Sequence, residues 1–155
     1  MRYRWLIIDG NNLIHRDPAL FRVGRGNFDA ARDELVRQLD HLVGDLADRI
    51  TIVFDGKSGS PGMARPSAAV EVVFSPAHLT ADSVIERMVG DLPDREGIAV
   101  VSSDRLERNT VEATGVNTLS CASFLEVLAA RQTSLQKQIR ATGKTSPPGT
   151  LGDFF

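Results

Sequence analysis

The 155-residue sequence holds one cysteine, Cys121, and therefore no internal disulfide. That excludes a disulfide scaffold, and a lone thiol fits a reducing cytoplasm best. No segment approaches the ~20 consecutive apolar residues of a membrane helix. The opening Met1-Arg-Tyr-Arg-Trp-Leu-Ile-Ile-Asp9 is apolar for too short a run to be a secretory signal core, and it reads as a strand. Positive charge is not in excess: 18 basic residues stand against 20 acidic ones, a formal charge of −2. Strong non-specific attraction to nucleic acid is not expected, since that property follows from basic surfaces. A Walker-type phosphate loop, a dinucleotide fingerprint, a Gly-x-Ser-x-Gly element and a Ser/His/Asp arrangement are all absent. His15, His41 and His78 have no metal-ligand spacing, which with a single cysteine disfavours zinc. There are no internal repeats.

What is present suits one ordinary globular domain. Hydrophobic residues make up 42% and charged residues 25%, which rules out a disordered chain. A chain of this length buries about two-thirds of its extended surface and needs no metal in order to fold.

Short apolar runs alternate with helical patterns. Trp5 to Ile8, Ile50 to Phe54, Val70 to Phe74, Ile98 to Val101 and Val116 to Leu119 read as five strands. Asp9-Gly10-Asn11-Asn12 reads as a turn, and Asp17-Pro18 as the start of a short helix before Gly24 and Gly26. Asn27 caps a long helix whose stripe is Phe28, Ala31, Leu35, Leu39, Leu42 and Leu46, with Arg32, Asp33, Arg37 and Asp45 off the stripe. Further helices are expected from Thr80 to about Val89, from Arg105 to Ala113, and from about Ala122 to Ile139. The segment Lys57 to Ser67 reads as a Gly/Ser/Pro loop. This alternation predicts an α/β fold with a mostly parallel central sheet of about five strands and helices on both faces. The domain is expected over residues 1–140, with residues 141–155 as a tail ending in Phe154 and Phe155.

Asp9, Asp55 and Asp104 each follow an apolar strand, and Asp82 stands in the first turn of a helix. In a parallel sheet the strand ends share one edge, where ligands bind. Each aspartate alone also suits a turn or a helix cap. Four at one cleft repel one another unless a cation sits among them. Oxygen ligands select Mg²⁺ or Mn²⁺. Asn12, three residues after Asp9, can orient a carboxylate or a water. Ser102 and Ser103 can bond a water or a phosphate, or cap the next helix.

The elements Ile7-Ile-Asp9-Gly-Asn-Asn12, Val53-Phe-Asp55-Gly, Thr80-Ala-Asp82-Ser and Val101-Ser-Ser-Asp104 occur in an order and spacing that resembles the YacP-like NYN domains, within the PIN-like nuclease superfamily. The resemblance covers about residues 4 to 130. It implies a Rossmann-like PIN fold and a metal-dependent endoribonuclease using Mg²⁺ or Mn²⁺. It implies Asp9, Asp82 and Asp104 as metal ligands, Asp55 as a fourth acidic position, and Asn12 as the asparagine of the opening motif. Where the family often carries an acidic residue just ahead of its Thr-Ala-Asp element, this chain has Leu79. RNA, free or presented on the ribosome, is the implied partner. Flanking phosphates would fall to basic residues at the rim. Candidates are Lys57 and Arg65 on the loop after Asp55, Arg105 with Ser103 beside Asp104, and Arg16, Arg22, Arg25 and Arg108.

Two other classes compete. A non-catalytic RNA- or ribosome-binding module would keep the fold without the chemistry. A signalling receiver also sets aspartates at strand ends around Mg²⁺, but wants a lysine after the last strand, where this chain has Leu119-Ser-Cys-Ala-Ser.

Overall fold

A computed structural model describes residues 2–25, 27–56 and 69–131. Lys57 and Arg65, the loop that carries them, the 140/141 boundary and the Phe154-Phe155 tail lie outside those residues. The chain divides into two compact units, Met1–Ala122 and Ser123–Phe155; of the second, residues 123–131 are described and are helical.

In the first unit five strands form one all-parallel sheet: β1 (Tyr3–Asp9), β2 (Ala47–Phe54), β3 (Val70–Phe74), β4 (Ile98–Val101) and β5 (Asn117–Leu119). Their spatial order is β3-β2-β1-β4-β5. β1 is therefore central and pairs on both sides, with Ile8 opposite Ile52 on one flank and Val101 on the other. Its run from Trp5 to Ile8 is buried, as a strand covered on both faces must be. The α/β class, the parallel sheet and the strand count agree with the sequence reading.

Between β1 and β2 come α1 (Gly10–Arg16), α2 (Pro18–Val23) and α3 (Phe28–Asp40). Between β3 and β4 comes α4 (Ala81–Gly90), and between β4 and β5 comes α5 (Arg105–Ala113). Right-handed crossovers put the first three on one face and the last two on the other. Alternation along β1 serves both layers. Trp5 and Ile7 pack in one core with Ala81, Ile85 and Val89 of α4 and Val111 of α5.

Three local readings are corrected. The stretch after Asp9 is not a turn but the first turn of α1. Asp9 caps it by accepting from the Asn12 N–H at 3.2 Å. Gly10, a poor helix former, is placed there by tertiary packing: a Cβ on it would lie 2.4 Å from the Phe54 ring. The long helix ends at Asp40 rather than carrying its stripe to Leu46. Leu42 falls in a turn, and Leu46 is buried just ahead of β2, which begins at Ala47. Arg32 does not face solvent but is fully buried. Its guanidinium lies 5.0, 5.5 and 5.3 Å from the ring centres of Phe28, Phe54 and Phe74, and it pairs with Asp29 one turn before it.

No helix among the described residues is long and apolar enough to cross a membrane.

Candidate metal centre

The first half of the chain builds leftward from β1 to β2 and β3, and the second half adds β4 and β5 on its right. The direction of winding reverses between β1 and β4. Ligands of such sheets bind in the crevice outside the carboxyl ends of those two strands. β1 ends there in Asp9, and β4 leads there into Ser102, Ser103 and Asp104.

Three carboxylates gather in this crevice. Asp9, Asp82 and Glu107 each offer an oxygen, and these oxygens lie within 4.8 Å of one another. Asp9 is held at the end of the central strand. Asp82 stands in the first turn of α4, which Thr80 caps by accepting from the Ser83 N–H. Glu107 stands in the first turn of α5 and is 1% exposed. Both helices belong to the layer that packs on the Ile7 side of β1. Asp9 is two residues beyond Ile7, so strand alternation aims its side chain toward that layer.

The electrostatics are those of a site short of positive charge. Burial, with Asp82 close by, raises the Asp9 carboxyl from its ordinary value to about 7. Burial, with Asp9 and Asp82 as neighbours, raises Glu107 to about 9. The Ser102 hydroxyl donates to Glu107 Oε2 at 2.6 Å, while Glu107 Oε1 is buried with no hydrogen-bond partner among the described residues. Desolvation disfavours three adjacent negative charges, and a divalent cation is one ligand that would relieve the repulsion.

Two asparagines brace the crevice. Asn12 Oδ1 accepts from the Ser103 N–H at 2.8 Å and from the Cys121 thiol at 3.2 Å, tying α1 to the loop after β4. Asn11 Oδ1 accepts from the Asp55 N–H at 2.8 Å and so ties α1 to the end of β2. Gly56 is pressed against Ser75 so closely that a Cβ would lie 2.2 Å from that carbonyl oxygen.

The sequence-predicted residues divide accordingly. Asp9 and Asp82 are brought together. Asp104 is the N-cap of α5, its Oδ1 accepting from the N–H groups of Leu106 and Glu107, and the third converging carboxylate is Glu107. Asp55 is half-buried beyond β2, outside the group of three. Asn12 is a brace, through its hydrogen bonds to Ser103 and Cys121. Ser103 uses its hydroxyl to accept from the Cys121 N–H, while Arg105 is exposed at the start of α5. Leu79 is half-buried in the turn before α4. Glu107 escapes a search for acids at strand ends because it sits on a helix. The spacing Asp104-x-x-Glu107 places Glu107 on the first turn of α5 but does not mark it as buried or converging.

A pH dependence follows. Folding raises both carboxyls, so the folded state holds more protons than the unfolded one between their unfolded and folded values. Stability conferred by the protonated forms is complete near pH 4 and is lost as pH rises through about 7 for Asp9 and about 9 for Glu107. In EDTA the protein is expected to lose at least about 2 kcal/mol between pH 5.5 and 8.5, a drop of about 5 °C or more in melting temperature. Added Mn²⁺ is expected to flatten that slope, because the cation replaces the protons. A melting temperature independent of pH in EDTA would contradict the buried, charge-poor site.

Fold and site together define the class: a doubly wound α/β protein with a buried acidic cluster at its switch point. A model of the YacP-like NYN domain matches residues 6–150. The chain belongs to that family, and NYN domains are nuclease-type domains. Two crystal structures of Rae1 (YacP) from Bacillus subtilis are similar to it at 25% sequence identity. One, of a point mutant, has a TM-score of 0.76 and covers 92% of this chain and 85% of the other. The second has a TM-score of 0.75, with 88% and 79% covered. No curated protein sequence matches the chain.

Proposed function

We propose that the protein is a divalent-metal-dependent endoribonuclease acting at the Asp9, Asp82 and Glu107 cluster. The observation that carries this reading is the convergence of the Asp9, Asp82 and Glu107 carboxylates in a nuclease-type family. These three side chains would hold Mg²⁺ or Mn²⁺, hard cations that suit an all-oxygen donor set. Such a cation, when bound, supplies a more acidic water and offsets negative charge on a phosphodiester.

The chain's own groups set up the rest. Asp9 and Glu107 would have to give up their protons to hold the cation, so activity is expected to rise with pH. Ser102 orients Glu107 by donating to Oε2. Asn12 holds the walls of the crevice at fixed separation. The reaction is addition of water to phosphorus with departure of the 3′ oxygen, giving a 5′-phosphate and a 3′-hydroxyl. Asp104, Asp55, Arg105 and the residues Lys57 and Arg65 are proposed to border the substrate path. RNA, free or carried on the ribosome, is the proposed partner, and the cytoplasm the proposed compartment, given a single buried thiol.

The test is an end-labelled single-stranded RNA incubated with the protein in Mn²⁺, in Mg²⁺, in EDTA, and with Asp9→Asn. Cleavage is expected only with metal and only in the unsubstituted protein. Cleavage surviving both EDTA and the substitution would overturn the metal mechanism. Binding of RNA with no cutting under any condition would favour a non-catalytic module.

A further inference from the structure

Residues 15–28 carry three arginines against one aspartate in a chain whose formal charge is −2. Arg16, Arg22 and Arg25 are all exposed. Aromatic rings stand among them. The His15 ring lies 5.9 Å from that of Phe21 and 6.0 Å from that of Phe28, tilted by 51° and 34°. Beneath, the buried Arg32 guanidinium lies 5.0 Å from the centre of the Phe28 ring. The rings are thus braced from below, while Phe21 is left 48% exposed on α2, a helix whose buried residue is Leu20.

A single exposed phenylalanine needs no explanation. A row of rings flanked by arginines does, because about half of the Phe21 side chain stays in water. Sequence-tolerant binding of single-stranded nucleic acid uses these two parts: ring faces on which bases stack and cations that follow the backbone. Double-stranded partners offer no free base faces. The surface is also close to the carboxylates. α1 begins directly after Asp9 and ends at Arg16, about 10 Å of helix. Arg16 is within electrostatic reach of the Cys121 thiol, which donates to Asn12 at the crevice.

We infer that His15 and Phe21 form a base-stacking platform for single-stranded RNA, with Arg16, Arg22 and Arg25 taking its phosphates, beside the acidic crevice. This rests on the ribonuclease reading and adds the single-stranded path by which the substrate arrives.

The test uses the full chain in EDTA, so that binding is read without cutting, and a fluorescein-labelled twelve-nucleotide oligo(A) RNA by anisotropy. Phe21→Ala is expected to weaken binding about tenfold or more, the loss of one stacked base. Arg22→Ala with Arg25→Ala is expected to reduce the slope of log affinity against log salt by about 1.4, two phosphate contacts on a single strand. Phe21→Trp is expected to keep the affinity and to lose tryptophan emission when the oligonucleotide is added. Circular dichroism confirms folding of each variant. The inference fails if Phe21→Ala and the double arginine variant bind as the unsubstituted protein does, if that protein does not bind oligo(A), or if a blunt RNA duplex competes equally well. Metal-dependent cutting with an unchanged Phe21→Ala affinity would sink the platform and leave the nuclease reading standing. Platform-dependent binding without cutting would do the reverse.

Discussion

Glu107→Gln is expected to abolish divalent-metal binding and to lower RNA cleavage by more than about 100-fold, beyond the 10- to 100-fold typical of losing an outer-shell partner. Glutamine keeps the shape and can still accept from the Ser102 hydroxyl. It removes the charge that would meet a cation. The same change should leave the metal-free protein at least as stable as before, because a buried carboxyl raised to about 9 no longer has to lose its proton as pH climbs. The measurements are cleavage in Mn²⁺ and melting curves with and without metal at pH 8. A Glu107→Gln protein that still cuts at the original rate, or whose melting temperature still rises with Mn²⁺, would remove Glu107 from the site. Loss of cutting together with loss of fold would not count in favour, and the melting curve in EDTA separates that case.

The second large effect concerns stability. Asp29→Ala is expected to cost about 3 kcal/mol, the scale of breaking one side of a buried ion pair. Arg32 is fully buried, Asp29 is its ion-pair partner, and its Nε and Nη2 have no hydrogen-bond acceptor among the described residues. Without Asp29 the cation would rest on three phenylalanine rings alone. In a chain of this size the melting temperature should fall by about 6–12 °C. Arg32→Met removes the cation and fills a similar volume, so it should be close to neutral. Denaturant melts of both variants check this. Equal losses would mean that Arg32 contributes through packing rather than as a buried charge needing its partner.

Much of the molecule was legible as pattern. Trp5 to Ile8, Ile50 to Phe54 and Ile98 to Val101 are continuous apolar runs because a parallel strand is covered on both faces, and all lie in the observed strands. Asp9 was legible as a member of the acidic group because a carboxylate directly after the central strand of such a sheet stands at the edge where ligands bind. Asp82 was legible for a related reason, as the acid of a helix start next to that edge.

Other residues gave the wrong local signal. Gly10-Asn11-Asn12 has the composition of a turn, yet the close approach of Phe54 and the cap from Asp9 make it the beginning of a helix. Arg32 lies off the apolar stripe of α3 by spacing, yet the ends of β2 and β3 supply two rings that enclose it. Glu107 looks like a solvated helix residue, and it is buried because α5 packs beside the switch point.

The sequence by itself determined the class of fold and two of the three converging carboxylates, since apolar periodicity and the placing of an acid after a strand or at a helix start are local properties of the chain. Only the tertiary structure decided that Glu107 completes the group and that Asp104 caps the helix in front of it. Burial and the distance between side chains from β1, α4 and α5 are set by packing between elements far apart in sequence, and no local pattern encodes them.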